Sequence, residues 1–102
     1  MKLRWTRPAL NDLIEAQTYI SQDNPQVAQA VAQRLWAAAQ SLTNHPQIGR
    51  PGHVAGTREW IVLRTPYLIV YRVRAETLEI LRLWHTKRDW QSESDDGPAQ
   101  DG

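Results

Sequence analysis

The feature that most constrains the fold is a change of hydrophobic period in mid-chain. Between residues 7 and 43 the apolar side chains recur at helical spacing, and after residue 56 they alternate. A chain that switches from a period of 3.6 to a period of 2 must place helices and strands in separate blocks, the pattern of an α+β layer. The stretch between them, NHPQIGRPGHVAG, holds two prolines and three glycines and is expected to be a loop crossing from helix to sheet.

Lys2–Trp5 alternates briefly and predicts a first strand. Thr6 stands before Arg7-Pro8 as a helix N-cap with proline in the first turn. Leu10, Leu13, Ile14, Gln17 and Ile20 then follow at helical spacing, until Asn24-Pro25 interrupts them. A second helix is expected over Pro25–Leu42, with Val27, Val31, Leu35, Ala38 and Leu42 as its apolar stripe. After the loop, residues 58–64, Tyr67–Arg74 and Thr77–His85 read as three strands joined by short turns, an antiparallel meander. The predicted fold is an N-terminal strand, an α-helical hairpin on one sheet face, and the meander, with the other face partly open.

Strict alternation puts Tyr67, Ile69, Tyr71 and Val73 opposite Leu68, Val70, Arg72 and Arg74. In the last strand it sets Leu78, Ile80, Arg82 and Trp84 against Glu79, Leu81, Leu83 and His85. Arg58, Arg64, Arg72 and Arg82 are then expected to project from the open side.

The net charge of +1 is a difference between unlike regions. Residues 1–45 carry four Lys/Arg and three Asp/Glu, residues 46–91 carry eight and four, and residues 92–102 carry none and four. A basic body over residues 1–91 therefore precedes an acidic tail, SESDDGPAQDG, with no large apolar residue to offset its ordering entropy. The tail is expected to be disordered. A basic body suits an anionic partner.

Several chemistries are excluded by residue type. Without cysteine there is no disulfide or thiolate metal site, and His45, His53 and His85 lack zinc-ligand spacing. Ser21 and Ser41 belong to no nucleophile motif, and the proline in GRPG removes a backbone donor that a phosphate loop would need. No apolar run approaches the ~20 residues of a membrane span, and MKLRWTRPAL has no secretory h-region. The expectation is a cytoplasmic protein without metal or cofactor. Metal-free RNA cleavage remains open, since Glu59, Arg58, Arg82 and His85 supply a base, cations and an acid.

The pieces LRWTRPALNDLIEAQTYI, NHPQIGRPG and GTREWIV–TPYLIVYRV–LEILRLWHTKRDW, in that order, cover residues 2–91. On them the chain resembles the RelE/ParE superfamily of toxins from bacterial type II toxin–antitoxin modules. The resemblance implies the same fold, a cognate antitoxin, and a hetero-oligomer with it. RelE-like members cut mRNA on the ribosome, whereas ParE-like members poison DNA gyrase. The ribonucleases carry a catalytic arginine just before the Leu-Val-Tyr of the middle strand, where this chain has Leu68. The ending Ile80-Leu81-Arg82-Leu83-Trp84-His85, with Asp89 beyond, looks closer to ParE.

The implied function is that of a ParE-like toxin directed at gyrase and lacking a catalytic set. The ribonuclease is the alternative, and a plain nucleic-acid-binding domain a second one. LRLWHTKRDW then reads as a strand end leading into a basic, aromatic surface. Arg58, Arg82, His85, Lys87, Arg88 and Trp90 are the expected target-facing residues, and Trp5, Trp36 and Trp60 the expected anchors for the antitoxin.

Overall fold

The computed structural model describes residues 1–87. Its elements run β1 (Lys2–Trp5), α1 (Arg7–Ser21), α2 (Pro25–Leu42), β2 (Arg50–Pro51), β3 (Arg58–Ile61), β4 (Tyr67–Arg74) and β5 (Thr77–His85). They form one five-stranded sheet in the order β1-β5-β4-β3-β2. The meander is antiparallel, whereas β1 pairs with β5 in parallel, so the sheet is mixed. The helical hairpin and the strands β2, β3 and β4 lie between β1 and β5 in the chain, which is the long connection a parallel neighbour requires.

The helix boundaries follow from local chemistry. Asn24 Oδ1 accepts from the backbone N–H groups of Gln26 and Val27 at 3.1 and 3.2 Å, so it caps α2 ahead of Pro25. Thr6 caps α1 more loosely, taking the Ala9 N–H at 3.4 Å, because its hydroxyl also donates to the Ile80 carbonyl at 2.7 Å. One side chain thus starts the helix and fixes it to β5.

The core lies between the hairpin and one face of the sheet, around Leu35, Leu42, Ile69, Tyr71, Leu78 and Ile80. Truncating a fully buried leucine such as Leu35 to alanine costs roughly 2–5 kcal/mol in proteins of this kind. The helix stripes are rotated from the expected ones. Ala9, Ala16, Ala28 and Ala39 are buried, while Leu10, Ile14 and Val27 are exposed. Small side chains let the helices approach their neighbours closely, and this turns larger apolar residues outward.

Three expectations for the sheet need correction. The crossover loop contains a two-residue strand, β2, whose Arg50 pairs with Glu59. The strand beginning at Arg58 ends at Ile61, because Arg64 takes a left-handed φ of 65° in the turn back to β4. Last, β5 carries a bulge: Tyr71 pairs with Ile80 but Val70 with Arg82, so Leu81 is an extra residue. The bulge reverses the alternation beyond it. Leu83 and His85 therefore join Leu78 and Ile80 on the helix side, against Ile69 and Tyr67, and Arg82 and Trp84 lie on the open side with Glu79. Past the end of β1, Asp12 of α1 accepts the Leu83 N–H at 3.0 Å and closes this stretch of strand edge.

Candidate functional site

The open face of the sheet is organised in three bands. In the first, Lys2 and Arg4 of β1, Thr77 and Glu79 of β5, and Arg72 and Arg74 of β4 occupy two adjacent rows of the ladder. Glu79 is only 5% exposed. It accepts from Arg4 Nη1 and Arg72 Nε, both at 2.7 Å, with Arg74 Nη2 at 3.8 Å. The Arg72 hydrogen bond, helped by the surrounding guanidinium charges, outweighs burial and holds the Glu79 pKa below the ordinary carboxylate value.

The second band runs Arg50–Glu59–Val70–Arg82 across β2, β3, β4 and β5. Glu59 is 3% exposed and accepts from Arg50 Nε and Nη2 at 3.3 and 3.2 Å. Its other oxygen meets the His53 N–H at 3.3 Å and the His53 Nδ1 at 3.0 Å. Burial raises the Glu59 pKa, but the His53 and Arg50 hydrogen bonds together reverse that, leaving it lowered. These bonds fasten β2 and the 50–53 turn to the meander. At the far end of the band, Arg82 donates to Asp12 through Nε and Nη2 at 2.7 and 3.1 Å.

The third band is apolar, with Ile61, Leu68 and Trp84 in one row. Leu68 is buried, while Ile61, Leu63 and Ile48 are exposed around a cleft of about 440 Å³ beside Trp60. Because β2 pairs only with Glu59 and Arg58, the outer edge of β3 has no β2 partner from Trp60 onward.

The residues expected to act together are dispersed. Arg58 pairs with Tyr71 on the helix-facing side, and its Nη1 donates to the carbonyls of Gly49 and Gln47 at 2.8 and 3.3 Å. Tyr71 supports the same loop, donating to the Pro46 carbonyl and accepting the Gly49 N–H, both at 2.9 Å. Burial raises the Tyr71 pKa, with Gly49 and Arg58 opposing. Glu59 and Arg82 share the open face, separated by Val70. His85 lies at the other end of β4 from Arg58. Its ring meets Tyr67 edge-on at 5.3 Å, and its Nδ1 accepts the Lys87 N–H at 3.2 Å. Thus Arg58, Glu59, Arg82 and His85 do not converge on one point. Lys87 is exposed, and Arg88, Asp89, Trp90 and the acidic tail lie outside the described residues.

Of the three expected anchors, Trp60 packs against the core opposite Ile69. Trp5 and Trp36 stack, with centroids 5.1 Å apart and planes 9° from parallel. Trp36 is half exposed and lines a groove of about 370 Å³ between α1 and α2, with Leu13 and Ala32. Sequence reasoning missed Arg50, His53, Asp12 and the Glu79 cluster, which are organised by pairing between strands and, for Asp12 and Arg4, by contacts distant in the chain. Glu79 alone had a signal, since alternation faces it with Arg72. Among the described residues there is no group of His, Asp or Glu able to hold a metal, and no helix long and apolar enough to cross a membrane.

This fold and surface define a class, the RelE/ParE superfamily of toxins. The family model described as the ParE toxin of the type II toxin–antitoxin system parDE matches residues 3–90. The chain belongs to that family, and it is a toxin of a type II toxin–antitoxin system. Among relatives, Y4kP of Sinorhizobium fredii, named as a toxin, is 38% identical over 87% of this chain and 92% of its own. Toxin RelE2 of Caulobacter vibrioides is 42% identical over 82% and 93%.

Among solved structures, the chromosomal ParDE system of P. aeruginosa superposes with a TM-score of 0.77 at 29% identity, covering 85% of this chain and 97% of that one. The RelBE2 toxin–antitoxin complex of Mycobacterium tuberculosis gives 0.52 at 28%, covering 82% and 95%.

Proposed function

We propose that this toxin acts in the cytoplasm by inhibiting DNA gyrase and is silenced by a cognate antitoxin, without performing covalent chemistry itself. The observation that carries this reading is the state of the open face. Leu68, where RelE-like ribonucleases resemble one another in having arginine, is 3% exposed between Ile61 and Trp84. Glu59 and Arg82 are each engaged in structural ion pairs. Loss of one preorganised cation from a phosphoryl-transfer site costs about 3–4 kcal/mol of transition-state stabilisation. A protein can still trap another enzyme's intermediate with such a surface. His85 and Lys87, with Arg88 and Trp90 after them in the chain, form the proposed target-facing set, whereas Arg58 is held by the Gly49 and Gln47 carbonyls and Arg82 by Asp12.

The antitoxin is assigned the apolar surfaces. An amphipathic helix fits the α1–α2 groove over the Trp5–Trp36 stack, and an extended segment fits the β3 edge beside Trp60. The relative named RelE2 and the RelBE2 neighbour favour ribosome-dependent mRNA cleavage as the second reading.

Two assays separate the readings: gyrase supercoiling, and primer extension on translated mRNA, each with wild type and His85→Ala. The expected result is inhibited supercoiling with accumulated DNA breaks, weakened by ~1–2 kcal/mol in the variant as for a contact residue. Discrete mRNA cuts that fall ~10²–10⁴-fold in the variant, with gyrase untouched, would replace this reading by the ribonuclease.

A further inference from the structure

The cationic band at the β4–β5 turn is not needed by either surface assigned above. Lys2, Arg4, Arg72 and Arg74 share one face across three strands, with Glu79 among them and Glu76 in the adjoining turn. Four cations against two carboxylates leave an excess of two positive charges. Neighbouring strands lie ~4.8 Å apart and same-face residues along a strand ~7 Å apart, so the four side chains root at the corners of a flat, rigid patch.

Glu79 holds this patch in order without using it up. It takes one guanidinium N–H from Arg4 and one from Arg72, and its oxygen lies 3.8 Å from Arg74. Each guanidinium carries five donors, so most remain available. The three arginine side chains stay 58%, 38% and 66% exposed. Splinting by a shared carboxylate lowers the conformational entropy that long cationic chains lose on binding an anion.

We propose that Lys2, Arg4, Arg72 and Arg74 form a contact site for the phosphate backbone of duplex DNA. A peptide interface draws its affinity from buried aromatic or aliphatic anchors, and the two rows of this band contain none. A single-stranded nucleic acid is held largely by bases stacking on aromatic rings, which these rows also lack; Trp84 lies in the apolar band at the other end of the face. Backbone contact with a duplex requires cations alone, in fixed positions. Such contact with bare DNA is independent of which cellular enzyme the toxin stops.

The test is fluorescence polarisation of labelled mixed-sequence duplex DNA with the purified chain, over a series of salt concentrations. Lys2→Ala/Arg74→Ala removes two corners while leaving the Arg4–Glu79–Arg72 bonds in place. Its melting temperature by circular dichroism should match wild type. The expected result is at least ~10-fold weaker binding at low salt, and a slope of log affinity against log salt reduced by about 2. Arg64→Ala, which removes a charge from the distant β3–β4 turn, should bind nearly as wild type.

Equal binding by the double variant would overturn the proposal. So would an equal loss per charge in Arg64→Ala, which would mean net charge alone. Tighter binding of single-stranded RNA or of polyglutamate than of duplex would likewise overturn it, in favour of a different polyanion.

Discussion

The two ends of the open sheet face are built on the same ladder and have opposite chemistry. At the β4–β5 turn a buried carboxylate, Glu79, sits under three arginines. At the β3–β4 turn the corresponding positions are Ile61, Leu68 and Trp84, bordered by an uncovered strand edge. Between them Glu59 and Arg82 are matched with Arg50, His53 and Asp12, and that band holds the fold together. One sheet face can therefore offer a polyanion and a protein separate places to bind. The balanced middle band keeps the two apart.

Partner binding should show the largest difference between the apolar surfaces and the cationic end. Trp36→Ala and Leu63→Glu alter the apolar surfaces without touching the cationic band. Each is expected to weaken antitoxin affinity by ~2 kcal/mol or more, about 30-fold. Isothermal titration with the cognate antitoxin checks this, and unchanged affinity in both variants would break the assignment of these surfaces.

The middle band gives the next largest effect, on stability. Removing the charge in Glu59→Gln leaves Arg50 and His53 without their carboxylate and should cost ~1–3 kcal/mol in denaturant titration at neutral pH. The sign of the pH dependence follows from the lowered pKa values. Glu59 and Glu79 bind a proton less readily folded than unfolded, so their stabilisation is complete above the ordinary value of 4.5 and is lost as pH falls through the folded values. Stability should decline on acidification below that value, and less steeply in Glu59→Gln. An equally steep decline in the variant would remove Glu59 from the acid response.

A smaller gain is expected at the β4–β5 turn. Ala75 and Glu76 adopt φ of 50° and 62°, a two-residue hairpin turn that favours Asn-Gly. Ala75→Asn/Glu76→Gly should stabilise by about 1 kcal/mol, because left-handed geometry costs ordinary residues that much. It also removes an acid from the cationic end, so duplex affinity should rise. A lower melting temperature would show that Glu76 makes a contact worth more than the strain.

The smallest effect is predicted for the acidic tail. Deleting residues 92–102 should change stability by less than ~0.5 kcal/mol, since a segment without large apolar residues has nothing to bury. A drop of several degrees in melting temperature would show that it packs.

The sequence by itself determined the two helices and the strands β1, β4 and β5, because each is set by local chemistry. Thr6 and Asn24 cap helices that prolines begin, and alternation in Tyr67–Arg74 defines a strand whichever neighbours it finds. The family was legible for the same reason, through ordered motifs over residues 2–91. Only the tertiary structure decided the site. The Leu81 bulge exchanges the faces of β5, moving His85 toward the helices and Trp84 to the open side. No local pattern encodes a bulge, which arises from fitting one strand to another. Arg82 meets Asp12 seventy positions away, and Arg4 meets Glu79 across seventy-five. Which arginine is bound to a carboxylate, and which remains available to a partner, depends on strand register, a property of the assembled sheet.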